Sequence, residues 1–205
     1  MTIKNKIIAL MISLIAIPTF AQAKEGQFGF GIDAGLAKAD IGAEDSAREL
    51  STLSGRSVSY SYEQSTLTGR VYVDYGINKD FSVELGYFRS ASLDANYRSG
   101  ADTAKESVTA KGYDLAAVYK PKEQGYFGKA GVHKSQLDGQ ASITITGLGT
   151  FTGSDSEKGN GWLLGAGYEG KIDNNMSWRA GVTYYDSLGG LSSGDAIFLY
   201  GGLKF

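Results

Sequence analysis

The sequence predicts an all-β protein, an eight-stranded antiparallel up-and-down transmembrane β-barrel, and three observations carry that prediction. The 205 residues include 29 Gly and 13 Tyr, against an average Gly usage of about 7%, a composition that disfavours helices and suits strands. Beyond the first residues the chain alternates apolar with small or polar positions in eight segments, each bounded by turn chemistry. The connections alternate short and long, the layout of a barrel with tight turns on one side of a membrane and longer loops on the other.

The N-terminus comes first. Lys4 and Lys6 precede an apolar run from Ile7 to Ile17, followed by Pro18 and an Ala21-Gln22-Ala23 ending. This is the three-part organisation of a secretory signal, and the run is too short to cross a hydrocarbon core of about 30 Å as a helix. Residues 1–23 are therefore read as a signal peptide and 24–205 as the barrel domain. Lys and Arg number 20 against 22 Asp and Glu, and loss of Lys4 and Lys6 leaves a mature charge of about −4, which disfavours nucleic acid as a partner. Cysteine is absent, so the fold rests on hydrogen bonds and packing without disulfides. One histidine and no glycine-rich strand-to-helix loop leave no metal, nucleotide or other cofactor to expect.

The predicted strands span 27–39, 66–77, 81–92, 107–120, 125–136, 161–172, 176–187 and 196–205. Tight turns fall at 78–80, 121–124 and 173–175, and longer loops at 40–65, 93–106, 137–160 and 188–195. No mature segment shows a sustained helical period. Parity separates the faces. In "FSVELGYF", Phe81, Val83, Leu85 and Tyr87 oppose Ser82, Glu84, Gly86 and Phe88, and in the last strand Ile197, Leu199, Gly201, Leu203 and Phe205 oppose Phe198, Tyr200, Gly202 and Lys204. Aromatic residues at the ends of outward rows, among them Phe28, Tyr75, Phe81, Tyr119, Trp162, Trp178 and Tyr184, suit two interfacial girdles.

The inward rows carry Asp33, Arg70, Asp74, Glu84, Asp114, Lys129, His133, Glu169, Lys171 and Arg179. An eight-stranded barrel has room inside for side chains and little else, so these groups are expected to pair across the lumen and plug it. A proton or ion path is the alternative for the same residues. His133 and Ser135 share a face at His-x-Ser spacing, with Asp138 as the carboxylate a triad would need. The stretches "RSVSYSYEQ" and "ASITITGLGTFTG" keep period two inside the first and third loops, which predicts strands protruding past the bilayer, hydrogen-bonded to each other.

The signal peptide, "FSVELGYF" after a tight turn, "GYDLAAVYK" with outward Tyr113, Leu115, Ala117 and Tyr119, and the terminal "YGGLKF" resemble the small outer-membrane β-barrel superfamily, the OmpA- and OmpX-like proteins of Gram-negative bacteria. The resemblance implies a cell outer-membrane location. It also implies an assembly signal in Ile197, Leu199, Leu203 and Phe205, read by the barrel-assembly machinery. Periplasmic chaperones, outer-membrane lipids and lipopolysaccharide are the partners it implies, with a host or cell-surface ligand for the loops. His133-x-Ser135 is similar to the His-x-Ser of lipid A 3-O-deacylases, although the rest of that motif is missing. The expected function is that of a monomeric, non-enzymatic envelope structural or surface-interaction protein of adhesion type, acting through loops one and three. A lipid-modifying outer-membrane enzyme or a narrow channel is the second reading, and a soluble lipocalin-type barrel the third.

Overall fold

The computed structural model describes residues 25–39, 43–122, 124–192 and 194–205; the expected signal peptide at 1–23 lies outside them. In chain order the elements are β1 (Phe28–Ala39), α1 (Ala43–Ser54), β2 (Ser59–Tyr62), β3 (Ser65–Gly76), β4 (Phe81–Ser90), β5 (Leu93–Ser99), β6 (Asp102–Tyr119), β7 (Gly125–Ile145), β8 (Gly149–Lys171), β9 (Ser177–Tyr185), a 3-10 turn (Leu188–Gly190) and β10 (Ala196–Lys204).

Eight of these strands close a ring. β1 pairs with β3, β3 with β4, β4 with β6, β6 with β7, β7 with β8, β8 with β9, β9 with β10 and β10 with β1, all antiparallel. The seam runs from Gly31 opposite Lys204 to Ala39 opposite Ala196, and Phe30 and Phe205 exchange backbone hydrogen bonds of 3.0 and 2.7 Å below it. An apolar C-terminus thus ends inside a hydrogen-bonded wall with no free edge, as hydrocarbon requires.

Period two explains both faces. Outward Leu67, Leu85 and Leu199 are 69%, 58% and 62% exposed, a waste of apolar area in water and its natural use in lipid. Aromatic pairs bracket that belt. Phe28–Tyr75, Phe81–Tyr119 and Tyr126–Tyr168 meet at 4.9, 4.9 and 5.4 Å between ring centroids at the turn end. Tyr87–Tyr113 and Trp162–Tyr184 meet at 5.1 and 5.2 Å at the loop end. Two of the tight turns share one device. The Asn78 carbonyl accepts the Asp80 and Phe81 N–H groups, and the Asp173 carboxylate those of Asn175 and Met176, so a short polar side chain fixes each reversal.

The loop end departs from the sequence reading in three ways. Residues 43–54 form a helix where no helical period was expected. Among its described side chains only Ala47 is buried, against Ala95 and Tyr97 with Leu50 alongside, and Arg48 bridges to Glu44 one turn back. Twelve residues with so narrow an apolar stripe are marginal alone, and the sheet beneath holds them. Second, loops two and three are mostly strand: β6, β7 and β8 reach 18, 21 and 23 residues. Third, the two alternating stretches do not bond to each other. β2 pairs with β5, whereas 140–145 lies between β6 and β8.

Candidate functional site

Two regions collect polar chemistry, the lumen and the sheet above it. In the lumen, Asp33, Arg70, Asp74, Glu84, Asp114, Lys129, His133, Glu169 and Arg179 are all buried, because each occupies the inward parity of a wall strand. Lys171 is corrected: it is the last residue of β8, exposed where the wall ends.

Arg70 grips Asp114 with both ends of its fork, Nε to Oδ2 at 2.8 Å and Nη2 to Oδ1 at 2.6 Å, and extends Nη1 to Glu84 at 3.0 Å and to Asp33 at 3.4 Å. Arg179 donates from Nε and Nη2 to the two oxygens of Asp33 at 2.8 and 2.5 Å, and from Nη1 to Glu84 at 2.6 Å. Glu84 is thus shared by two guanidinium groups. The Arg179 guanidinium also lies over Tyr72, 4.1 Å from the ring centroid, and Lys129 sits 5.1 Å from that of Tyr200. Arg70 and Arg179, with Lys129 nearby, offset Asp33, Glu84 and Asp114, which is what lets these groups share a buried interior. The close approach depends on Gly86, where a Cβ would lie 2.6 Å from Arg70 Nε.

Below this knot, Lys204 meets Asp74 at 2.7 Å and Lys120 meets Glu169 at 2.5 Å. Both were legible as inward, Lys204 from the parity of the last strand and Lys120 from that of the strand 107–120, whose outward row ends in Tyr119. Above the knot, Phe88, Tyr185 and His133 cluster across the lumen, Phe88 tilted against Tyr185 at 5.0 Å and His133 edge-on to Tyr185 at 5.5 Å.

The His133, Ser135 and Asp138 triad is not assembled. His133 Nε2 bonds to the Asp186 carbonyl oxygen at 2.7 Å, Ser135 Oγ accepts the Gly189 N–H at 2.9 Å, and Asp138 holds Lys111 at 2.6 Å and Gln136 at 2.5 Å. The His133 and Ser135 bonds fasten the β9–β10 connection to β7. Between that connection and the sheet lies a cavity of about 240 Å³, lined by Leu93, Val108, Ala110, Leu137, Leu188 and Leu191 among others.

The sheet continues the wall. Beyond Ala110 the edge of β6 passes from β4 to β5, and β5 carries β2, giving the order β2-β5-β6-β7-β8. From Gln136 to its end β7 rises roughly 30 Å along its own axis. The inner face of this sheet receives α1 through Ala95, Tyr97 and Ala104. The outer face is polar, with Thr103, Thr144 and Thr150 in one row and Lys105, Ser142 and Thr152 in the next. Asp94 is tied there by the Lys105 ammonium at 2.7 Å and the Ser107 hydroxyl at 2.7 Å.

A family model described as an outer membrane protein beta-barrel domain matches residues 7–200. No curated protein sequence matches the chain. Among solved structures, the chain is similar to Ail, the attachment invasion locus protein of Yersinia pestis, at 14% identity and a TM-score of 0.47 over 88% of this chain and 99% of that one. It is also similar to the outer membrane protein OprG from Pseudomonas aeruginosa, at 12% identity and a TM-score of 0.47 over 90% and 98%.

Proposed function

The chain belongs to the outer-membrane β-barrel family, and from that premise we propose that it is a non-enzymatic envelope protein whose extracellular sheet binds a ligand at the cell surface, in an adhesion-type role. The barrel resides in the outer membrane, with its short turns periplasmic and its long strands outside the cell. One observation carries the proposal: β6, β7 and β8 continue far past the wall and recruit β2, β5 and α1 into a second, water-facing layer. A barrel that only had to sit in lipid needs no such layer. The interlocked Arg70, Arg179, Asp33, Glu84 and Asp114 support a structural rather than conducting lumen. In this reading Ile197, Leu199, Leu203 and Phe205 form the signal for the assembly machinery. Outer-membrane lipids and lipopolysaccharide surround the belt, and the protein acts as a monomer.

The test replaces residues 43–62 and 139–156 by short Gly/Ser turns and compares adherence of expressing cells to a cultured epithelial layer. The proposal expects adherence to be lost while the shortened barrel still reaches the outer membrane folded. Equal adherence by the shortened and full proteins would contradict it.

A further inference from the structure

The inner face of the extended sheet is only half covered. α1 packs on Tyr62, Ala95, Tyr97 and Ala104, which belong to β2, β5 and β6. The register row continues from Ala104 to Ile143 on β7 and Phe151 on β8, and there the cover ends: Ile143 is exposed, and Phe151 is 56% exposed. Between α1 and β7 runs a gap of about 260 Å³, walled by Glu49 and Leu50 on the helix and by Ala104, Ala141 and Ile143 on the sheet. Toward the barrel the inward positions shrink, Ala141 opposite Gly153 and Gly139 opposite Asp155. They floor a trough that reaches the cavity lined by Leu137, Leu188 and Leu191. From Ile143 to Leu137 the trough is roughly 20 Å long.

A connected apolar strip with a polar rim marks a docking face, and its chemistry selects the occupant. An extended peptide gains no ladder here, because the backbone of β7 from 137 to 144 is already paired with β6 on one side and β8 on the other. A helix satisfies its own backbone and needs only apolar contact. The trough length corresponds to about 13 helical residues, close to the 12 of α1 on the neighbouring strip. The rim is acidic. Glu49, Glu106, Asp155 and Glu157 border the trough, without an ion-pair partner among the described residues. The bases at its margin are taken, Arg48 by Glu44 and Lys105 by Asp94. The α1 of a second copy, itself acidic in sequence, would bring like charge to this rim.

We propose that the trough is the docking site for a basic amphipathic helix of a partner protein, laid beside α1 as the second helix on the sheet. The apolar stripe of that helix covers Ile143, Ala141 and Phe151, and its lysines or arginines meet Glu49 on one flank and Asp155 and Glu157 on the other. The inference rests on the proposed surface-binding role and names the chemistry of the partner.

The experiment follows, by fluorescence anisotropy, a labelled peptide of about 14 residues with Leu on one helical face and Lys on the other. It binds folded protein in neutral-detergent micelles, with the signal of protein-free micelles subtracted. An Ile143→Ser, Phe151→Ser variant should bind about tenfold more weakly or worse, as loss of interface anchors does. An Asp155→Asn, Glu157→Gln variant should also bind more weakly and respond less to added salt. A Thr144→Ala, Thr152→Ala variant, altered on the opposite face of the same strands, should match the parent, and all three should keep the parent's urea midpoint. The same peptide with Glu in place of Lys should not bind. Equal affinity of the parent and the Ile143→Ser, Phe151→Ser variant would overturn the trough, as would equal binding of the Glu peptide. Dimers of the parent that these two changes dissolve, with no peptide bound, would make the face a contact between copies and overturn the partner helix. Absence of peptide binding alongside lost adherence of the shortened protein would overturn the trough and uphold the surface-binding role. Binding alongside undiminished adherence would uphold the trough and overturn that role.

Discussion

Arg179→Ala should be among the most damaging single changes to this barrel. The guanidinium is 2% exposed and donates three hydrogen bonds, two to Asp33 and one to Glu84. Its loss leaves Asp33, among the described residues, with a single ion pair, Arg70 at 3.4 Å, and Glu84 with Arg70 at 3.0 Å. Of the two guanidinium groups that hold the three carboxylates, only Arg70 then remains, in an interior that solvates the excess negative charge poorly. Removing one partner of a buried pair costs about 3–5 kcal/mol, and the vacated space beside Tyr72 adds to this. By contrast, Arg48→Ala breaks a pair whose side chains are 73% and 68% exposed, where helix pairs contribute about 0.3–0.5 kcal/mol. Urea unfolding in micelles, followed by the mobility difference between folded and unfolded barrel on a gel, distinguishes the two. With an m-value near 3 kcal/mol/M, Arg179→Ala should lower the midpoint by roughly 1–2 M and Arg48→Ala by about 0.2 M or less. Coincident midpoints for Arg179→Ala and parent would refute a buried, interlocked lumen.

Three further outcomes follow from the same geometry. Gly86→Ala should destabilise the barrel through the Arg70 guanidinium, which lies 2.6–2.8 Å from the new methyl, whereas Gly153→Ala in the open part of β8, with nothing within 4 Å, should not; the same urea series measures both. Deleting Phe205 should slow insertion in an assembly assay far more than it lowers the urea midpoint of barrel already folded, and equal effects on both would make the residue mere packing. The Lys105 ammonium, helped by the Ser107 hydroxyl, holds the Asp94 carboxyl below the usual carboxylate range. A depressed carboxyl stabilises above its unfolded pKa and loses that contribution as pH falls through the folded value, so amide protection of β5 should weaken below about pH 4 while that of β1 stays.

The wall was legible because period two is strict: once "FSVELGYF" assigns Phe81 outward, Glu84 must face the lumen, and the same step places Arg70, Asp114 and Arg179. Lys171 obeyed parity yet escaped the lumen, since parity gives direction and not depth. The helix at 43–54 was missed because Ala47 and Leu50 are too slight a stripe to stand out, and its stability comes from Ala95 and Tyr97, far away in sequence. The stretch "GSDSEKGNG" reads as loop by composition, but β7 supplies the hydrogen bonds that make it strand.

In the proposed role the extended sheet stands outside the cell and the short turns stand in the periplasm. The chain contains no cysteine, so single cysteines can report on it cleanly. Thr152→Cys in the sheet and Asn174→Cys in the β8–β9 turn should be treated with a membrane-impermeant maleimide on intact cells and again after lysis. Thr152→Cys should label on intact cells, whereas Asn174→Cys should label only after lysis. Labelling of Asn174→Cys, and not Thr152→Cys, on intact cells would contradict it.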